Sequence, residues 1–215
     1  MEKKWALVTG ASSGIGLAYA EELASLGYQL VIVSNEEQAI REKGEFLSEK
    51  YGIEVLPLYR DLAIPGAAKE LYDTCQEKNI PIEVLVNNAG MFFFCETLQA
   101  KANIVEKMLY LHVTTPTQLC YYFGQEMKKR RLGYILAIHT GDTIVTMPTI
   151  ATGVLVFFHT VDEARLVHQG TCHGHKLEPV VQYLLDHFLE ILHNLDKETE
   201  AQGLRAFVWN IEKTI

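Results

Sequence analysis

No stretch of the 215-residue chain is apolar over the roughly 20 residues that a bilayer span requires, so no membrane partner is expected. The opening Met1-Glu2-Lys3-Lys4 leads straight into a short apolar segment and lacks the apolar core of a secretory signal. Basic charge is scarce as well: 19 Lys and Arg stand against 27 Asp and Glu, for a net charge of −8. Phosphate backbones call for basic surfaces, so nucleic acid is not an expected partner. The four cysteines, Cys75, Cys95, Cys120 and Cys172, form no close pair, and without a secretory signal they are expected to be reduced thiols in a cytoplasmic protein. Histidines are more plentiful, and the densest group is Cys172-His173-Gly174-His175. None shows the paired spacing of a closed zinc site, so surface histidines are expected and no metal site.

What is present is a regular alternation of apolar and amphipathic segments, which predicts one α/β domain over 1–215. The chain is organised around Thr9-Gly10-Ala11-Ser12-Ser13-Gly14-Ile15-Gly16. Before it, residues 5–8 read as a buried strand. After it, Leu17, Ala20, Leu23, Ala24 and Leu26 recur at helical spacing. Strand, glycine-rich turn and helix in this order form the phosphate-binding corner of a dinucleotide fold. Glycines let the chain turn tightly and let a pyrophosphate approach the backbone, while the helix start offers N–H groups and a positive dipole end. Strands are expected at 28–34, 53–59, 82–86 and 134–138. Helices are expected at 37–51 and 65–78, and one long helix over 101–131 with a bend near Pro116.

The spacing Gly10-x-x-x-Gly14-x-Gly16 after a Thr, followed on the fourth strand by Asn87-Asn88-Ala89-Gly90, resembles the short-chain dehydrogenase/reductase family. The resemblance covers 1–136, and 137–215 diverges. It implies a Rossmann-like, doubly wound parallel sheet of order 3-2-1-4-5-6 with helices on both faces. It further implies an NAD or NADP cofactor and hydride transfer to or from a carbonyl or alcohol substrate. The cofactor-binding candidates are Gly10, Ser12, Ser13, Gly14, Ile15 and Gly16 for the phosphates, Asn35 and Glu36 for the ribose, and Asp61 and Leu62 for the adenine. Asn88, Ala89 and Gly90 would lie along the cofactor. Neither Ser13 nor Asn35 is basic, which leans the expectation to NAD. A plain alternative for Glu36 and Glu37 is to cap the following helix at its positive end, and for Asp61 to be a turn residue. Members of the family often dimerise through the long helix after the fourth strand, so a homo-oligomer is a possible state.

The resemblance fails where the chemistry should be. The family places an Asn on the long helix, and His112 stands there, where an imidazole could hold a relay water. Its catalytic Ser falls at Thr140. Its Tyr-x-x-x-Lys, in which the Tyr shares the proton and the Lys one turn on tunes it, is missing: the expected count reaches Thr152-Gly153 and Val156-Phe157. No Tyr in the chain has a Lys four residues later, and the nearest variant is Tyr183-x-x-x-His187, on a helix expected over 179–195 whose apolar stripe Tyr183 shares. The catalytic candidates are therefore His112, Thr140 and Tyr183. Residues 141–177 match nothing in the family. Within them 153–159 looks strand-like, 161–169 suggests a helical turn or two, and a sixth strand is expected at 204–211. After that strand, Ile211-Glu212 replaces the family's Pro-Gly turn. Three readings follow: an oxidoreductase of impaired activity; a catalytically inactive dinucleotide-binding or interaction protein on the same scaffold; or a chain whose last third has been replaced, by natural divergence, frame change or engineering, so that any cofactor site would be partial.

Overall fold

The computed structural model describes residues 3–91 and 100–140 and the strands at 154–159 and 164–169. It contains a seven-stranded sheet of order β3-β2-β1-β4-β5-β6-β7. β1 (Trp5–Thr9), β2 (Gln29–Ser34), β3 (Val55–Tyr59), β4 (Ile82–Asn87), β5 (Tyr134–Thr140) and β6 (Val154–His159) run parallel, and β7 (Ala164–Gln169) pairs antiparallel with β6. Between them lie α1 (Gly14–Ser25), α2 (Glu37–Tyr51), α3 (Ala67–Glu77), α4 (Ala102–Leu109) and α5 (Thr115–Arg130). The expected order holds from β3 across to β5.

Every residue of β1 is buried, because a strand at the middle of a parallel sheet is covered on both faces. Alternation then sorts the core. Leu7, Val31, Val33, Leu85 and Ile135 meet α3 and α5 through Leu71, Leu119 and Phe123. Ala6, Val8, Leu30, Ile32 and Val86 meet α1 and α2 through Tyr19, Leu23, Ile40 and Leu47 on the other face. Among the described residues, no helix is long and apolar enough to cross a membrane.

Three expectations are refined or changed. The long helix expected over 101–131 is built as α4, a π-helical turn over Tyr110–Thr114, and α5, with Pro116 in the first turn of α5. Proline has no N–H to return to the preceding turn, and the wider π spacing directly ahead of it absorbs the mismatch. The segment 161–169, read as a helical turn or two, is instead strand over Ala164–Gln169. Only residues 160–163 separate it from β6, a connection of hairpin length, and antiparallel pairing along β6 supplies its hydrogen bonds. The place beside β5 is filled by β6, from the segment that looked strand-like, and the strand expected at 204–211 lies outside the described residues.

Candidate functional site

The carboxyl ends of β1 and β4 are stitched together by one side chain. Thr9 Oγ1 donates to the Val86 carbonyl at 3.3 Å and accepts the N–H groups of Asn88 at 2.9 Å and Ala89 at 3.0 Å. Asn88 returns the link through its amide, donating to the Thr9 carbonyl at 3.1 Å and the Gly10 carbonyl at 3.4 Å. Gly16 closes on the same point: a Cβ there would lie 2.2 Å from the Gly10 oxygen and 2.4 Å from Asn88 Nδ2, so no larger residue fits. Gly10 itself holds φ +69°, with Ala89 Cα 2.9 Å from where its Cβ would be. The glycine turn and the Asn-Asn-Ala-Gly segment are thus one interlocked unit.

Around it the turn is fixed to β2. Gly10 and Ala11 donate to the Val33 carbonyl at 2.8 and 3.2 Å, and Ser34 Oγ donates to Ser12 Oγ at 2.9 Å. Past this anchor the loop opens. Ser13 and Gly14 are exposed, Gly14 has φ +54° with open space where a Cβ would be, and Ile15 is half-buried. Helix α1 starts here with no side-chain cap from Ser13 and no acidic residue in its first turn. First-turn N–H groups have no intrahelical acceptor, and together with the dipole they form an anion-binding end. These residues fit a dinucleotide pyrophosphate in donor chemistry, sign and backbone access.

Asn35 and Glu36 lie exposed at the end of β2. Glu36 is the N-cap of α2 yet makes no side-chain cap, while Glu37 in the first turn pairs with Arg41 at 2.8 Å. Both carboxylates stand at the positive end of α2, and the structure shows no side-chain capping hydrogen bond from Glu36. Asp61 does act as a turn residue, with Oδ1 accepting the Ala63 N–H at 2.9 Å. Its Oδ2 lies 3.9 Å from Lys107 Nζ. Leu62 is buried, and its carbonyl accepts a hydrogen bond from Thr115 Oγ1 at 2.7 Å. Asn87 Nδ2 donates to Cys120 Sγ at 3.2 Å, and its Oδ1 is buried without a hydrogen-bond partner beside a small crevice lined by Thr9, Ala89, Leu111 and Ile138.

His112 lies in the π-helical turn, and Nε2 sits 2.8 Å from the Met91 carbonyl oxygen and 3.1 Å from the Met91 nitrogen. Its Cε1 is 3.0 Å from where a Cβ on Gly90 would be. Nε2 is thus engaged with the backbone of the residue that follows the Asn-Asn-Ala-Gly motif. Thr140 closes β5, with His159 of β6 as its register partner. Tyr183 and His187 lie outside the described residues. Burial pushes the thiols of Cys75 and Cys120 up to about 12, so neither is a thiolate near neutral pH.

Sequence reasoning assigned no site role to Thr9, although its place at the strand end ahead of the first glycine was the available signal. Lys107 gave none, because its proximity to Asp61 exists only in the folded chain. Arg130 was read with its basic neighbours as a response to the helix dipole, yet its guanidinium also donates to the Ile82 carbonyl at the start of β4.

Fold and glycine corner together define a Rossmann-type domain. The family model for short chain dehydrogenase matches residues 4–152, and the chain belongs to this family. It is 28% identical over 153 residues to the human very-long-chain 3-oxoacyl-CoA reductase, covering 68% of this chain and 48% of that protein. To the human inactive hydroxysteroid dehydrogenase-like protein 1 it is 30% identical over 161 residues, covering 69% and 45%. A short-chain dehydrogenase from Sphingobium yanoikuyae, solved in complex with NADPH, superimposes with a TM-score of 0.60 at 31% identity, covering 64% of this chain and 54% of that one. The chain spans about half the length of the curated relatives it matches.

Proposed function

We propose that this chain binds a nicotinamide dinucleotide and that its hydride transfer to or from a carbonyl or alcohol is severely impaired. The observation that carries the binding half is the interlock of Thr9, Gly10, Gly16 and Asn88, which opens into an uncapped helix start. Ser12 to Gly16 would hold the pyrophosphate, Glu36 and Asn35 the adenosine ribose, Asp61 and Leu62 the adenine, and Asn88 to Gly90 would lie along the adenosine half. When bound, the nicotinamide ring supplies or takes up the hydride. The chain's own part would be to hold the dinucleotide, with the proton on the substrate oxygen left to Thr140 and His112.

For NAD over NADP the support is an exposed carboxylate at Glu36 and no basic side chain at Ser13 or Asn35, since a ribose 2′-phosphate would meet negative charge there. For the impairment the support is the missing Tyr-x-x-x-Lys. A positioned general acid contributes on the order of 10²–10⁴-fold, and this sequence offers no Tyr with a Lys one turn on. That one of the relatives carries the name "inactive" agrees with a binding protein that lost turnover. Thr140 and His112 would leave at most a residual reaction.

Fluorescence titration with NADH and NADPH, beside assays over a panel of ketones and aldehydes, tests both halves. Saturable NADH binding that is lost in Gly16→Val, with little or no turnover, is the expected result. Robust turnover that disappears in Tyr183→Phe would overturn the impairment, and equal NADH binding by parent and Gly16→Val would overturn the assignment of the glycine turn.

A further inference from the structure

Asp61 divides its carboxylate between two neighbours. Oδ1 is spent on the Ala63 N–H at 2.9 Å, which closes the turn after β3. Oδ2 is turned towards α4, where Lys107 Nζ stands 3.9 Å away, with the two side chains 37% and 46% exposed. That separation is too long for a hydrogen bond, so Oδ2 keeps its accepting capacity while an ammonium donor stands beside it. Arg60, the neighbour of Asp61 in sequence, is placed elsewhere: its guanidinium lies 4.0 Å from Glu70 on α3.

We infer that Asp61 Oδ2 and Lys107 Nζ together form an acceptor–donor pair that reads the C6 edge of the dinucleotide's purine, and that Lys107 lets the site take a 6-oxo purine as well as adenine. This rests on the reading above that Asp61 faces the base. Adenine presents an amino donor at C6, which a carboxylate alone can accept. Hypoxanthine presents a carbonyl oxygen at C6 and an N–H at N1. Against a lone carboxylate its oxygen would meet oxygen, a mismatch of like partial charges. With Lys107 alongside, the ammonium donates to O6 and the carboxylate accepts the N1 hydrogen. The four-carbon stem of a half-exposed lysine supplies the reach and freedom for that exchange. An asparagine or a methionine at 107 would leave the base edge with the acceptor alone or with a weaker donor.

The test is titration of the full chain with NADH and with reduced nicotinamide hypoxanthine dinucleotide, for the parent, Lys107→Met and Lys107→Arg. The parent is expected to bind the two within about tenfold of each other, because each finds a partner at C6. Lys107→Met should weaken the hypoxanthine dinucleotide by about tenfold or more beyond any effect on NADH, while Lys107→Arg, which keeps a donor, stays near the parent. An unchanged urea midpoint reports that the methionine variant is folded. Selectivity left unchanged in Lys107→Met, or a parent that already prefers NADH by more than about a hundredfold, overturns the role of Lys107 while leaving dinucleotide binding intact. A parent that binds neither dinucleotide overturns this inference together with the reading on which it rests.

Discussion

An imidazole nitrogen either accepts or donates a hydrogen bond, and at His112 that choice has a structural cost. Nε2 lies within reach of both the N–H and the C=O of Met91, but it satisfies only one of them in any protonation state. A primary amide satisfies both at once. His112→Gln, whose amide lies at about the reach of Nε2, is therefore expected to hold the segment after β4 more firmly, adding about 1 kcal/mol to stability by urea unfolding and tightening NADH binding. His112→Ala should lower both. If the glutamine variant is no more stable than the histidine, the pairing with Met91 is incidental. His112 was visible in the sequence as a departure from the family, but its partner was not. Met91 is 21 residues away, and only the placement of the π-helical turn over the end of β4 brings the two together.

Among the elements, the one that ties the connection after β3 to the core is α5. Its first residue, Thr115, is buried and donates from Oγ1 to the carbonyl of Leu62, in the connection that follows β3. Thr115→Val keeps the shape and removes the donor, leaving a buried carbonyl unpaired at a cost of about 1–3 kcal/mol. Urea denaturation should show the loss, and Thr115→Ser should recover most of it. Elements rich in period and punctuation were legible. β1 and β2 read as unbroken apolar runs, and the glycine corner and Asn87 to Gly90 carry spacing that few other folds require. The elements misread were those decided by tertiary pairing. Ala164–Gln169 has no strong period of its own and becomes a strand because β6 offers it an edge.

At the scale of the whole molecule, the buried thiols make stability depend on alkaline pH. Cys75 and Cys120 are both held at about 12 by burial, against an ordinary 9.0. The folded chain therefore keeps protons that the unfolded chain releases. Their contribution is complete below the unfolded value and is lost as pH rises from about 9 towards 12. Tyr19, whose phenol burial pushes up further still, acts in the same direction. Urea midpoints should fall steadily from pH 8 to pH 11, and the fall should be shallower in Cys75→Ala, measured against that variant's own midpoint at pH 8. Iodoacetamide at pH 8 should leave the Cys75 and Cys120 peptides unmodified until urea is added, read by mass spectrometry. Prompt labelling of either thiol in the native protein would contradict the burial. The stitch between β1 and β4 also sets an order in time. Thr9 finds its partners 77 to 80 residues further along the chain, so β1 cannot complete its glycine turn until Val86 to Ala89 have been synthesised. Contacts this distant in sequence close late, after the local helices and the β1–β2 pairing are available. This corner is thus finished only after the stretch from β1 to β4 is complete, and a nascent chain halted before β4 has a glycine turn without its lock.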